Sequence, residues 1–202
     1  MLQERVKGDS MMLYIQLDPT RGWLNVDGIF VRGSAFVDNE LKQGANIAKH
    51  FKDAFHYQGI VSLFEQLNGF YAIVAQINDI VIIAVDRIRS IPLYYAYTDN
   101  KLFISDDAHW IQQQVGEYRR DSIAVAEFLL TGFVTGPKTL SPKIKQVQAG
   151  EVICFKKNEN GKLTFEPRRY YRYHHDKYFE NNKEELLARL DTTMVNVFNC
   201  LI

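Results

Sequence analysis

The chain has 202 residues, enough for one large domain or for one domain and part of a second. Apolar residues make up 47% and aromatic residues 13%, as in a well-cored globular protein, while 24 basic and 24 acidic residues cancel. With no net field to attract a polyanion, neither nucleic acid nor a membrane surface is expected as a partner.

In chain order, MLQERVKGDSMMLY has no continuous apolar segment of the kind a secretory signal needs. No run approaches the roughly 20 apolar residues of a transmembrane helix, and a cytoplasmic, reducing compartment is expected. Residues 11–17 (MMLYIQL) are apolar and β-prone, and DPTRG turns the chain through Pro19 and Gly22. WLNVDG and IFVRGSAF are expected to form a hairpin through Asp27 and Gly28. Between Asn39 and Leu67 the spacing changes. Leu41, Ala45, Ala48 and Phe51, then Ile60, Leu63, Phe64 and Leu67, predict two helices broken near Gly59.

FYAIVAQI, DIVIIAVD, PLYYAYT and KLFISDD follow as four strand-length runs. Their joints are too short to carry a crossover helix, so all four are expected as antiparallel neighbours. Several are apolar at almost every position, which predicts a sheet covered on both faces, by a second sheet and by helices. DSIAVAEFLLTGFV reads as a helix with Asp121 or Ser122 as N-cap, Gly132 as terminator and an apolar stripe through Val125, Phe128 and Leu129. Turns at Pro137, Pro142 and Gly150 lead to a last hairpin through Asn160 and Gly161. An amphipathic helix is expected from about Lys183. It stays apolar over residues 194–202, as the first helix of another domain would.

LNGFYAIVAQINDIVIIAVDRIRSIPLYYAYTDNKLFISDD resembles the glutaminase domain of asparagine synthetase-like proteins. The pattern of that family is L-x-G-x-F/Y-A, then R/V-D-R-x-G/S-x-x-P-L-Y-Y, then a strand ending in S-D/E. It is carried here by Leu67, Gly69, Tyr71, Ala72, Asp86, Arg87, Pro92, Leu93, Tyr94, Tyr95, Ser105 and Asp106. TGFVTGPKTLSPKIKQVQAGEVICF and RRYYRY resemble the family segment that leads into an ATP-using domain. Linked motifs in one order are far more specific than a single short match.

The resemblance implies an α+β fold, a four-layer αββα sandwich of two stacked antiparallel sheets, as in Ntn hydrolases. It implies a glutaminase-like domain over residues 1–173, then a linker and the first helix of an ATP-dependent synthetase domain over 174–202. Gly69, Asp86, Arg87, Pro92, Tyr94 and Tyr95 are expected to be structural. Asp86 is expected to pair with an arginine and fix a partly buried hairpin, because an unpaired charge there would be expensive.

The catalytic parts of the family pattern are missing. Its nucleophile is an N-terminal Cys with a free amine, whereas this chain begins Met1-Leu2-Gln3 and has no cysteine before Cys154. No catalytic residue is therefore assigned. The oxyanion strand V-N-G-E-I-Y corresponds to VRGSAF, which puts Arg32 at the Asn position and Gly33 at the Gly. Loss of one oxyanion donor typically lowers the rate by about 10²–10³. FKDAFHYQGIVS carries no G-S-D segment to hold substrate, and no arginine loop precedes VRGSAF to clamp its carboxylate.

The reading is a degenerate domain of an ATP-dependent, amide-forming ligase, with nitrogen from glutamine or ammonia and an acceptor carboxylate such as aspartate. No cofactor is expected in this stretch; ATP and Mg are implied for the synthetase domain. The expected partner is that domain, a homodimer is left open, and glutamine is disfavoured as a ligand. Two alternatives stay open: an active amidohydrolase using Ser10 after processing, and a module that binds glutamine or a protein.

Other conspicuous residues have plainer readings. Cys154 and Cys200 make no disulfide framework, and Cys154 in EVICFKK reads as an apolar strand position. His174, His175 and Asp176 read as surface, His50 and His56 lack further ligands, and no metal site is expected. RRYYRY reads as interface rather than as a nucleic-acid platform, and SDDAHW reads as a helix cap.

Overall fold

The computed structural model describes residues 2–7, 12–38, 40–56, 59–174 and 182–199. Strands β1 (Leu2–Lys7) and β2 (Met12–Leu17) are followed by a 3-10 turn (Pro19–Arg21), β3 (Leu24–Val26), β4 (Ile29–Val37) and β5 (Glu40–Gln43). Helices α1 (Ala45–Ala54) and α2 (Ile60–Gln66) precede β6 (Asn68–Ile77), β7 (Ile80–Val85), β8 (Tyr94–Thr98) and β9 (Lys101–Ser105). Then come α3 (Ala108–Val115), α4 (Ser122–Thr131), β10 (Lys145–Gln146), β11 (Glu151–Lys157), β12 (Leu163–Arg169) and α5 (Lys183–Asn199). Ser10, Cys200, His175 and Asp176 lie outside the described residues.

Sheet I runs β1-β2-β9-β8-β10, and sheet II runs β12-β11-β7-β6-β4-β3 with β5 added to β4. Alternation along each strand explains the continuous apolar runs. On β7, Val81, Ile83 and Val85 enter the core between the sheets, whereas Ile82 and Ala84 face α1 and α2. On β2, Leu13, Ile15 and Leu17 enter the same inter-sheet core, and Tyr14 stacks on Phe103 at 5.0 Å on the outer face. Ile47, Ala48 and Phe51 of α1 and Ile60, Leu63 and Phe64 of α2 cover sheet II, and Ile111 of α3 covers sheet I. The layers are therefore α, β, β, α, the expected fold class.

Three details differ from expectation. The β2–β9 ladder is parallel, within sheets otherwise antiparallel among the described strands. β7 and β8 are not neighbours, because both edges of β7 are taken by β6 and β11. Residues 86–93 instead carry the chain from sheet II to sheet I, and a stretch of that length spans the ~10 Å between stacked sheets. Leu41, expected in a helix, lies in the short edge strand β5 and is 42% exposed.

Helix α4 is capped as expected. Asp121 accepts from the N–H groups of Ile123 and Ala124 at 3.0 Å each, and Gly132 closes the helix. The stripe expected through Val125, Phe128 and Leu129 is not its buried face. Ala124 is the buried residue, and Leu129 and Leu130 are 78% and 86% exposed. SIAVAEFLLT is apolar almost all round, so its pattern singles out no face. The apolar stripe of α5, Leu187, Leu190, Met194, Val197 and Phe198, is also exposed.

Between α3 and α4, Glu117 is buried and takes both arms of the Arg119 guanidinium, Nε and Nη2 each donating at 2.9 Å. Those bonds, with the Arg119 backbone N–H, hold the Glu117 carboxyl down to about 2. A depressed acid stabilises the fold fully above its unfolded value and loses that contribution as pH falls through its folded one. The melting temperature of wild type should exceed that of Glu117→Gln at pH 6, and the gap should close between about pH 4.5 and 2. Melts across that range test this; a gap independent of pH would refute it.

Candidate functional site

Arg32 and Gly33 lie at the middle of β4. Residues 29 and 31 face the helices and Phe30 faces sheet I, so Arg32 falls on the inter-sheet side. Its Nη1 lies 3.9 Å from Oδ2 of Asp106, the residue that follows β9. The same oxygen accepts from Trp23 Nε1 at 3.1 Å and from Arg21 Nη1 at 3.4 Å. The Asp106 side chain is 2% exposed, and its Oδ1 is buried without a hydrogen-bond partner. Ser105 fastens β9 to β2, donating to Gln16 Oε1 at 2.6 Å and accepting from the Asp107 N–H at 3.0 Å.

The Arg32 guanidinium thus faces a buried carboxylate, whose negative charge opposes any anion placed beside it. Gly33 has φ +100, and a Cβ there would lie far inside van der Waals contact distance of the Phe70 carbonyl oxygen. Across the ladder, a Cβ on Gly69 would lie 2.6 Å from Ala35 Cα. Close approach of β4 and β6 is thus a sufficient reason for glycine at both positions.

Asp86 opens the crossover between the sheets and is 0% exposed. Its carboxylate accepts from the N–H groups of Tyr71 (3.2 Å), Ile88 (2.9 Å) and Ser90 (3.0 Å), and from the Ser90 hydroxyl. Its carbonyl accepts from the N–H of Gly150 at 2.8 Å, which ties in the lead to β11. The expected arginine partner is absent. Arg87 Nη2 donates to the Glu65 carbonyl at 3.0 Å, with its guanidinium 5.1 Å above the Tyr171 ring, and Arg89 donates to Gln146 Oε1. Backbone N–H groups offset the desolvation of Asp86, so no counter-ion is needed.

Beside this knot Tyr170 donates to the Val85 carbonyl at 2.6 Å, and its hydroxyl lies 3.0 Å from that of Tyr71. Burial pushes the Tyr71 phenol well up and that of Tyr170 to about 12, so both are neutral, structural groups. Pro92 is half-buried in the crossover, Tyr94 packs on the outer face of sheet I, and Tyr95 meets Phe155 edge-on at 5.5 Å between the sheets.

The remaining nominated residues do not converge on these. Cys154 is 3% exposed on the helix-covered face of sheet II, and burial pushes its thiol up to about 11, where it is unreactive near neutral pH. Asp107 caps α3, accepting from the His109 N–H at 2.8 Å. His56 and His174 are exposed, and among the described residues no group of three His, Cys, Asp or Glu could hold a metal ion. Among the described residues no helix is long and apolar enough to cross a membrane. Arg21 and Trp23, missed in sequence, carry no local signal, because their partner lies more than 80 residues away.

Stacked sheets between helical layers, with a crossover from one sheet to the other, define a four-layer αββα domain. Residues 51–171, more than half of the chain, match the family described as glutamine amidotransferase domain, and the chain belongs to that family. No curated protein matches it. Among solved structures it is similar to glutamine phosphoribosylpyrophosphate (PRPP) amidotransferase from B. subtilis, complexed with ADP and GMP. The identity is 14% and the TM-score 0.40, over 74% of this chain and 31% of that one. It is also similar to an allosteric regulatory enzyme of purine biosynthesis, at 13% identity and TM-score 0.36, over 72% of this chain and 29% of that one. The chain thus spans about a third of the length of the chains it matches.

Proposed function

We propose that the chain is a glutaminase-like domain that does not hydrolyse glutamine and supports an ATP-dependent, amide-forming synthetase of the asparagine synthetase-like kind. The observation that carries this is at the oxyanion strand, where Arg32 replaces a neutral carboxamide and faces the buried Asp106 carboxylate. The burial of Cys154 supports it. So does continuity of the chain upstream of β2: residues 2–7 pair with that strand, so Ser10 has no free amine unless the chain is cut.

In this proposal residues 1–173 form the glutaminase-like unit, and residues 174–202 lead into the synthetase domain. ATP and Mg act there, activating a carboxylate such as aspartate for amide formation. The exposed leucines of α4 supply an apolar face on which that domain docks, and burying it would add stability on association.

The test is glutamate release from glutamine by the purified chain, with intact mass reporting the N-terminus. No release above background and an uncut chain are expected. Sustained release overturns the proposal. Release that needs cleavage between Asp9 and Ser10 and is lost in Ser10→Ala would establish a serine amidohydrolase instead.

A further inference from the structure

We propose that a cleft on the outer side of sheet I binds an organic phosphate, a role separate from glutamine chemistry. The cleft has a volume of about 380 Å³, within the range of small-molecule sites. Its walls come from the crossover corner, α3, the end of α4 and the loop leading to β10.

Charge selects the class of ligand. Arg89, Arg120 and Lys138 line the cleft, and no aspartate or glutamate does, although acidic and basic residues balance over the whole chain. None of the three cations is within ion-pair distance of a carboxylate among the described residues. Asp121 is close enough to feel the charge of Lys138, but its side chain is engaged in capping α4. Two guanidinium groups and an ammonium without counter-ions suit a dianionic phosphate better than a single carboxylate.

A second observation points the same way. Ser141 is 6% exposed and lines the cleft, and its Oγ is buried with no hydrogen-bond partner. Such a hydroxyl is normally satisfied, and a turn of its side chain toward the cleft would bring it a phosphate oxygen as acceptor. The surrounding loop is already braced. The Thr139 hydroxyl accepts from the Ser141 N–H at 3.1 Å and lies 2.9 Å from the Ile144 carbonyl. Gln146 holds Arg89 with its carbonyl oxygen while its Nε2 donates to the Gly136 carbonyl at 2.9 Å.

The apolar part of the ligand follows from the other wall. Phe128 and Phe133 line the cleft and are 44% and 58% exposed, offering ring faces to an aromatic or aliphatic body. A phosphate monoester with an apolar substituent therefore meets cations at one end and phenylalanine rings at the other.

Phenyl phosphate, inorganic phosphate and phenol, titrated calorimetrically into the purified chain, test this. Phenyl phosphate should bind with a Kd below about 1 mM, inorganic phosphate about tenfold more weakly, and phenol not measurably. Arg120→Gln combined with Lys138→Gln should weaken phenyl phosphate by about tenfold or more, and added salt should weaken it in wild type. Both side chains are exposed, so circular dichroism and the melting temperature of the double variant should match wild type. Absence of saturable phosphate binding up to about 10 mM overturns the proposal. So does equal affinity in a folded double variant. Phenol binding as well as phenyl phosphate would make the cleft an apolar groove and overturn it too.

Discussion

Replacing Asp86 by alanine is expected to lower the unfolding free energy by about 4 kcal/mol, since each buried N–H left without a partner costs about 1–3 kcal/mol. Three N–H groups, of Tyr71, Ile88 and Ser90, converge on this carboxylate at 2.9–3.2 Å, and alanine offers none of them an acceptor. The carboxylate also joins β6 to the crossover, so its loss loosens the passage between sheets rather than one turn. Asparagine keeps one acceptor oxygen and should lose about half as much. The urea midpoint of Asp86→Ala should fall by about 2 M with an unchanged slope. A shift below about 0.5 M would show that water replaces the carboxylate and that the knot is not needed.

Gly33→Ala is expected to be comparably severe, at about 3 kcal/mol or more, because two penalties coincide. The φ of +100 is one that L-residues rarely adopt, and the new methyl would collide with the Phe70 carbonyl. Gly69→Ala meets the same obstacle from the opposite strand, against Ala35 Cα. Either change must push β4 and β6 apart along a ladder that joins Ile29–Ala75 to Phe36–Asn68. Since separation of the same two strands relieves both clashes, the double variant should lose less than the sum of the singles. Denaturant unfolding of the two singles and the double checks this. A Gly33→Ala protein within about 1 kcal/mol of wild type would remove close approach as the reason for glycine.

Neither effect depends on catalysis, and this separates two senses in which a family signature is informative. Asp86, Gly69 and Tyr95 match the family pattern because they build the sandwich. By contrast Arg32, expected at an oxyanion-hole position, faces a buried carboxylate.

How much was legible in the amino-acid order depended on distance along the chain. The hairpin at Asp27 and Gly28, the caps at Asp107 and Asp121 and the break before Ile60 rest on neighbours within a few residues. Local backbone preference and capping decide them, so reading them needs no partner from elsewhere. Doubly covered strands were legible too, since a run apolar on both faces must be buried on both.

Neighbouring strands were not legible. β8 cannot follow β7 in one sheet because β11, some 70 residues later, already occupies that edge. Nothing in AVDRIRSIPLYY records the competitor, so a local reading makes a hairpin of what is a crossover. For the same reason Asp86 looked as if it needed an arginine. Its partners are backbone N–H groups, which every sequence position carries and none advertises.

The order of residues by itself determined strands covered on both faces and a signature that resembles glutamine amidotransferase domains, because alternation and signature spacing are properties of the chain. Only the tertiary structure decided that Arg32 faces Asp106, that Asp86 is satisfied without a counter-ion, and that three cations and an unpartnered Ser141 hydroxyl share one cleft. These are juxtapositions of groups far apart in sequence, and burial and electrostatics act on distances that exist only once the sheets have packed.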